Sequence, residues 1–519
     1  MSRGSDRSVG RIVRSAVVLC VVAAASTAGV ASAVDYYWTA DGTALGGSGT
    51  WNTASSNWFI GSSSGSLGTF TSATTSQAFL QGTSGTLTAS GTPQFNRITV
   101  NSGSFTVSGL LSWANDGTVS PSRAIVVNPS TALTITSTNG GGLPLAVQGG
   151  GAVTFTQSNR NYGGTITAST PGTRLIFTAV NGLDNGSNST PLTMQAGTTL
   201  QLNQTNNYRA ALSLSAASVE VNAANALVFQ ASASVSVTGT AASVIKTGTN
   251  AAGTIQFNST RTFTVASTGD PSGVDLDIQC RITGGSGLTK AGAGTMRLSG
   301  TTSSYAGATT VSAGKLVIDG DQAAGAGTVS VAAAAWLGGS GTTGGALSIS
   351  GTLSPGNGLG TLTGGSSASF AAGSVLDSQL LTSTTAADLL RVAGNLTLTG
   401  SVGLALADPG AASLLPADTV LSLVNYGGAV SGLFSYGGVP LADNDTFTFG
   451  PNTWRIAYQS TVPGANVTNA LPGGTFVNLI VVPEPAFGGV ALAGMLAWRL
   501  RRRGVAETTD TPAAGGEYS

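Results

Sequence analysis

Residues 192–237 read LTMQAGTTLQLNQTNNYRAALSLSAASVEVNAANALVFQASASVSV, and the spacing of their apolar residues predicts the fold class. These residues recur in pairs separated by one position: Leu192/Met194, Leu200/Leu202, Leu212/Leu214, Val219/Val221, Leu227/Phe229 and Val235/Val237. Because side chains alternate between the two faces of a strand, each pair occupies one face. The stretch therefore predicts a series of short β-strands, each with one apolar face.

The same pattern continues outside this stretch, and Gly, Asn and Ser fill the gaps, as turns require. No segment between the two ends has a convincing helical period, so the body is predicted to be all-β. Three strands of about eight residues make a coil of about 24, a natural step for a β-solenoid. The alternative is a chain of β-sandwich domains, but so long a body would then have to split into several domains. No linkers are evident, so we predict a parallel β-helix.

Composition narrows the function classes. Charged residues make up 8% of the chain, against about a quarter in typical proteins, and 21 Lys and Arg balance 21 Asp and Glu. Without a basic stripe, the chain has no electrostatic footprint for nucleic acid. Histidine is absent, which excludes Ser-His-Asp and Cys-His catalysis and the common zinc sites. We expect neither a cofactor nor a metal requirement.

Two neighbouring stretches resemble a known repeat. Residues 284–300 read GGSGLTKAGAGTMRLSG, and residues 305–320 read YAGATTVSAGKLVIDG. They resemble the autotransporter-associated β-strand repeat, with its motifs G-L-x-K-x-G-x-G-T-L-x-L-S-G and Y-x-G-x-T-x-V-x-x-G-x-L; Met296 replaces a usual Leu. The resemblance is specific over residues 284–364 and loose elsewhere. It implies a passenger-type domain that folds as a right-handed β-helix on a bacterial surface.

The alternation of residues predicts which side chains of this repeat are buried. We expect the apolar residues to point inward: Leu288, Met296, Leu298, Val311, Leu316 and Ile318. Lys290, Arg297 and Lys315 are expected to point outward. Leu298 and Leu316 should lie in a continuous buried column. Cys280 is the one cysteine of the mature body, so it is expected to be a packed strand residue without a disulfide.

The start of the chain has the pattern of a secretory signal peptide. Basic residues precede the apolar stretch Ala16–Ala25, and Ala31-Ser32-Ala33 forms an A-x-A cleavage site. The chain is therefore predicted to be exported by the secretion machinery, with cleavage after Ala33.

The end of the chain resembles the PEP-CTERM sorting signal of exported bacterial proteins. Pro483-Glu484-Pro485 precedes the apolar stretch 486–498, and a basic cluster follows: Arg499, Arg501, Arg502 and Arg503. Prolines prevent helix continuation before the apolar stretch, and arginines hold its far end on the cytoplasmic side. This stretch is short against the roughly 20 residues of a stable span. We therefore expect one short hydrophobic helix that stops transiently in the membrane, the alternative being a weak permanent anchor. The resemblance implies processing by an exosortase-like enzyme.

These features divide the chain into six predicted parts. They are a signal peptide (1–33), the N-terminal part of the solenoid (34–283), the repeat region (284–380), a C-terminal β region (381–482), the sorting signal (483–503) and a disordered tail (504–519). An open solenoid needs its last coil covered against edge pairing. The aromatic-rich C-terminal β region is the predicted cap.

Three acidic pairs are candidate calcium or acid–base sites: Asp275/Asp277, Asp319/Asp321 and Asp443/Asp445. In the first, Val274, Leu276 and Ile278 take the core face, which leaves the aspartates on an ordinary solvent-facing side. The other two pairs lack an EF-hand or nonapeptide continuation and are interpreted as turn residues. No acidic group is expected in apolar surroundings that would shift its pKa.

Three tryptophans near the start of the body, Trp38, Trp51 and Trp58, allow two interpretations. They could form an aromatic platform for sugar rings, or they could plug the open end of the first coil. The plug is the favoured interpretation.

Together these features predict an exported, non-catalytic structural or adhesion protein of the cell surface or extracellular matrix, with surface glycans as candidate partners. Two alternatives are a carbohydrate-binding module and a β-helical polysaccharide lyase or hydrolase. The second is disfavoured because such enzymes need clustered acidic ligands with a basic residue, or paired aspartates with histidine. Fold analogy alone cannot establish activity.

Overall fold

The computed structural model describes residues 33–113, 123–136, 144–158, 162–184, 186–250 and 252–483. These residues form a parallel β-helix in which short strands from successive coils stack on three sides: two continuous sheets and a third side made of separate groups of strands. The prediction of an all-β solenoid is confirmed, and the alternative of separate β-sandwiches is wrong. Within the described ranges, the only helical segment is the 3₁₀ turn Thr382–Thr384.

The first sheet contains one strand from every coil. Its parallel strands are Val34–Trp38, Ser76–Leu80, Arg97–Val100, Ala124–Val127, Leu145–Gln148, Ile166–Ala168, Leu192–Met194, Ala211–Ser215, Ser234–Thr238, Arg261–Val265, Leu288–Ala291, Thr309–Val311, Val329–Val331, Leu347–Ile349, Ala368–Phe370, Leu396–Leu398 and Val430–Ser431.

The second sheet follows the first around each coil. Its parallel strands are Gly49–Trp51, Gly85–Ala89, Ser104–Gly109, Ala132–Ile135, Ala152–Phe155, Arg174–Phe177, Thr199–Leu202, Ser218–Val221, Ser243–Thr247, Leu276–Ile278, Thr295–Leu298, Gly314–Ile318, Ala335–Gly339, Thr352–Pro355, Val375–Leu381, Val402–Ala407 and Phe434–Tyr436. Two short strands, Ala386–Ala387 and Val439–Pro440, pair antiparallel with its last members.

The third side is interrupted. Its parallel groups are Gln94–Phe95 with Ser112–Trp113; then Asn206–Tyr208, Leu227–Phe229, Thr254–Phe257 and Arg281–Thr283; then Asp321–Gln322, Thr342–Thr343, Thr361–Gly364, Leu389–Val392 and Val420–Tyr426. Between the last two groups, the coil of residues 300–305 crosses this side without forming a strand.

Coil length varies while strand register is kept. Leu192 pairs with Leu212 and Leu212 with Val235, so these coils take 20 and 23 residues. Val329 pairs with Leu347, which makes that coil 18 residues. Insertions are therefore absorbed in the turns, where they cost little loop-closure free energy.

Like side chains stack on like side chains inside the β-helix. One column of the second sheet runs through Leu133, Val153, Leu175, Leu200, Val219, Ile245, Ile278, Leu298 and Ile318. A second runs through Leu276, Met296, Leu316, Leu337, Leu353, Leu376 and Leu404. Leu298 and Leu316 are both 0% exposed, so their predicted burial is confirmed, but they lie in two neighbouring columns and not in one.

Both ends of the column are covered by antiparallel strands. At the start, Trp58–Ile60 pairs with Val34–Trp38 and with Ser66–Gly68. At the end, Val420–Tyr426 continues into an antiparallel sheet of three strands: Thr475–Val482, Asn452–Ser460 and Thr446–Phe449. This sheet is fixed to the last coil by the buried Tyr458, whose hydroxyl accepts from Phe434 N (2.8 Å) and donates to Leu441 O (2.9 Å).

The expectation that Lys290 points outward is wrong. Residues two apart share a face, so Lys290 follows Leu288 into the interior, where it is fully buried. Its ammonium donates to the carbonyls of Ala291 (3.1 Å), Gly292 (2.8 Å) and Ala313 (3.0 Å) and so joins two successive corners. Burial lowers the pKa of Lys290 to about 8, against a smaller opposing effect of Asp275.

No helix in the described part of the chain has the length and apolar character needed to cross a membrane. The predicted signal peptide up to Ser32 and the predicted hydrophobic helix 486–498 lie outside the described residues.

We predict that Lys290→Met changes the pH dependence of stability. The folded pKa of Lys290 is about 8, whereas an unfolded lysine has a pKa of about 10.4. Between these values the unfolded chain binds more protons, so the free energy of unfolding of the wild type should rise with pH in this window. The variant should lack this contribution. Urea unfolding at several pH values from 7 to 10.5 measures it.

The matched control for this experiment is Lys315→Met, which removes a lysine from the outer face of the next coil. Its pH curve should follow that of the wild type. Equal pH slopes for Lys290→Met and wild type would contradict the buried ammonium.

Candidate functional site

A polar groove lies beside the interruption of the third side. It encloses about 780 Å³ and is lined by residues of successive coils, among them Asn225, Gln256, Gln279, Arg281, Thr283 and Thr302. The strands Thr254–Phe257 and Arg281–Thr283 form its floor. In the next coil, residues 300–305 cross the third side as a loop. This loop leaves room for a ligand next to the strand Arg281–Thr283.

The loop is held in place although it forms no strand. Ser303 Oγ accepts from Ile282 N (3.0 Å), and Ser304 N donates to Ile282 O (2.8 Å). Thr302 adopts a left-handed φ of 58°, a conformation that is uncommon for residues other than glycine. Hydrogen bonds to the neighbouring coil therefore fix the loop that borders the groove.

Neutral hydrogen-bonding groups and one cation define the chemistry of the groove. Arg281 is the only charged residue among the described lining residues. One of its N–H groups donates to Ser304 Oγ (3.1 Å), and its other donors have no partner within the described ranges. The side chain of Gln256 likewise makes no hydrogen bond there. Such a surface can bind a polar or anionic group, but it contains no carboxylate to act as a general acid or base.

Asp275 does not lie on the solvent-facing side, so that expectation is wrong. It is 5% exposed and precedes the strand Leu276–Ile278. Its carboxylate accepts from Thr268 N (2.6 Å), Thr268 Oγ1 (2.7 Å) and Thr295 N (2.6 Å). These bonds join successive turns, and they explain the burial of a carboxylate without assigning it a catalytic role.

Asp277 and Asp319 face outward and share one arginine. Arg297 Nε lies 2.7 Å from Asp319, and Arg297 Nη1 lies 3.9 Å from Asp277. The prediction that Arg297 points outward agrees with its position. The coils before and after Arg297 thus place one carboxylate on each side of it, and its single positive charge offsets one of the two negative charges.

The other members of the three acidic pairs accept local backbone hydrogen bonds. Asp321 Oδ1 accepts from Ala323 N (2.8 Å), Asp443 Oδ1 from Tyr458 N (3.0 Å), and Asp445 Oδ2 from Ala442 N (2.7 Å). No group of three or more Asp, Glu, Cys or His in the described residues is close enough together to hold a metal ion.

Trp38, Trp51 and Trp58 plug the first coil. All three are 0% exposed, and the ring of Trp58 lies 5.1 Å from that of Trp38 and 5.2 Å from that of Trp51. Trp38 Nε1 donates to Gly47 O (2.9 Å). A sugar cannot stack on buried rings, so the interpretation as a sugar platform is wrong.

Cys280 and Asp388 are two buried titratable groups with raised pKa values. Cys280 is 1% exposed, as predicted, but it lies in the bend between Leu276–Ile278 and Arg281–Thr283 and not in a strand. Burial raises the pKa of its thiol to about 12. The expectation that no acidic group has a shifted pKa is wrong for Asp388: it is 1% exposed, and burial raises its pKa to about 6. Its two oxygens accept from Gly360 N (2.9 Å) and Gln379 N (2.8 Å). Both oxygens are therefore used to connect neighbouring coils.

The predicted processing residues lie at or beyond the edges of the described chain. Ala33 is exposed directly before the first strand, and Pro483 is exposed directly after the last. The others fall outside the described residues: Ala31, Glu484, Pro485, Arg499, Arg501, Arg502 and Arg503.

Comparison with known proteins identifies the class of repeat. A family model, the passenger-associated-transport-repeat, matches residues 288–318. The match begins at the strand Leu288–Ala291 and ends at the strand Gly314–Ile318, so it covers first-sheet and second-sheet strands of two successive coils. The chain therefore contains an autotransporter passenger-type repeat within a continuous β-helix.

The chain is also similar to the adhesin BmaC autotransporter of Brucella suis biovar 1 (strain 1330). The two are 34% identical over 143 residues, which is 27% of this chain and 4% of that protein. The chain thus matches only a small part of the length of this relative.

Proposed function

We propose that this protein is an exported, non-catalytic adhesion or matrix protein, sorted to the cell envelope by its C-terminal signal. The observation that carries the proposal is the passenger-type repeat embedded in a continuous, end-capped β-helix. Similarity to a protein described as an adhesin supports the same function. A column of about 17 stacked coils spaced about 4.8 Å apart is on the order of 80 Å long, which suits a rod that presents contacts away from a surface.

The polar groove at Arg281 is the proposed contact surface of this rod. Its free guanidinium donors and the amide of Gln256 can bind a polar partner, and the lack of a lining carboxylate favours binding over hydrolysis. The absence of histidine from the chain removes the commonest general base. A β-helical lyase or hydrolase is therefore the less favoured candidate.

Sorting is proposed to depend on the order of parts after the last strand. Val482 ends that strand, and Pro483 begins the Pro-Glu-Pro motif directly after it. The motif would thus be accessible to an exosortase-like enzyme while the short apolar stretch 486–498 is retained in the membrane by Arg499 and Arg501–Arg503.

Processing of this tail can be measured on the cell surface. Protein extracted from the surface of the producing cell should lack peptides that follow the Pro-Glu-Pro motif, as measured by mass spectrometry. Replacing the four arginines (499, 501, 502 and 503) with Gln should let the tail pass through or misorient, so that unprocessed chain accumulates. Recovery of intact peptides reaching Ser519 from surface-extracted wild type would contradict processing.

The adhesive function can be measured as attachment of the producing cell. Deletion of the protein should lower attachment of the producing cell to its substratum several-fold, and Arg281→Gln should reproduce much of that loss. Arg174→Gln is the matched control, because Arg174 is an outward arginine of the second sheet that pairs with Glu220 (3.0 Å) away from the groove. Normal attachment of the deletion strain would overturn the adhesive function. Normal attachment of Arg281→Gln alone would overturn only the groove.

A further inference from the structure

Trp336 has the most exposed aromatic side chain in the described ranges. It is 43% exposed, whereas Trp38, Trp51, Trp58 and Trp454 are fully buried. Its place follows from the alternation of the strand Ala335–Gly339, in which Ala335 and Leu337 point inward. A single exposed apolar side chain is common on protein surfaces, so it is the surroundings of Trp336 that distinguish it.

The surroundings of Trp336 form a shelf. The corners of three successive coils contribute Ala293, Ala313 and Ala334, and these small residues line an open concavity of about 480 Å³ together with Lys315 and Trp336. No bulky side chain covers the indole from this side. The shelf therefore leaves the aromatic ring accessible to a ring-shaped ligand.

Lys315 adds a positive charge beside the indole. It is directly opposite Trp336 in the paired strands, and Thr352 is opposite Trp336 on the other side. Neither the Lys315 ammonium nor the Trp336 indole N–H has a hydrogen-bond partner among the described residues, and no ion pair engages this lysine there. The stem of Lys315 reaches toward Gly338, two residues after Trp336 on the same strand. The shelf thus combines a cation with an exposed apolar ring face.

From this geometry we infer that the Trp336 shelf binds an acidic saccharide unit. The C–H face of the pyranose ring packs on the indole, and the carboxylate that the sugar carries pairs with the Lys315 ammonium. The indole N–H donates to a sugar hydroxyl. The inference deepens the proposed adhesive function by naming a ligand class, and it places the contact on a different surface from the polar groove.

Binding of defined oligosaccharides to the purified full chain tests the inference. Tetragalacturonate is the acidic probe, and cellotetraose is the neutral probe. Titration calorimetry at low and at moderate salt measures the binding of each. The wild type should bind tetragalacturonate more tightly than cellotetraose. Its affinity for tetragalacturonate should fall as the salt concentration rises. Trp336→Ala should weaken binding at least tenfold, and Trp336→Phe should retain part of it. Lys315→Met should remove the preference for the acidic probe.

The matched control is Lys246→Met, which removes an outward lysine of another coil that lies 3.8 Å from Glu220; it should bind as the wild type does. Thermal melting checks that each variant is folded. The inference is wrong if the wild type binds neither probe, or if Trp336→Ala binds tetragalacturonate unchanged. Either result leaves the cell-attachment experiment untouched, so failure of the shelf and failure of the adhesive function are distinguishable.

Discussion

The backbone hydrogen bonds between successive coils are the interaction on which the rest of the structure depends. Each first-sheet and second-sheet strand pairs in parallel with the strands before and after it, so an inward residue must stack on the inward residue of the next coil. The column that includes Ile278, Leu298 and Ile318 is the result. Register makes the core continuous, and it also aligns outward groups such as Asp277 and Asp319 on Arg297. Only the first and last coils lack a neighbouring coil on one side, and antiparallel strands cover them there.

Much of this fold could be predicted from the sequence, because period-two alternation determines the buried face of a strand. Leu298 and Leu316 are buried, as the pattern predicts. The same rule, applied strictly, would have placed Lys290 inside; a preference for charged residues on the surface obscured this. Asp275 was misplaced for another reason: it belongs to a corner, where alternation does not hold. The groove at Arg281 could not be predicted, since it depends on one coil that lacks a third-side strand.

The surface has few charges, and the described charges are largely committed to structure. Arg174, Glu220 and Lys246 pair across coils, as do Arg297, Asp277 and Asp319. Such exposed pairs add little stability individually, so hydrogen-bonded backbone and buried apolar columns stabilise the rod. This leaves Arg281 and Lys315 as cations with free donors near concave surfaces. A neutral rod with a few separated binding sites suits multivalent attachment. Several weak sites on one scaffold then give a higher overall avidity than any single site.

Disulfide trapping between coils tests the stacked register most directly. Ser330 and Ser348 are outward partners on adjacent first-sheet strands, and Ser369 is the partner of Ser348 on the next. Adjacent positions are about 4.8 Å apart, within disulfide reach, whereas positions two coils apart are separated by about 10 Å. Under mild oxidation, the double variant Ser330→Cys with Ser348→Cys should cross-link rapidly, and Ser330→Cys with Ser369→Cys should not. Equal cross-linking of the two variants, or none in the first, would contradict a parallel β-helix in this register.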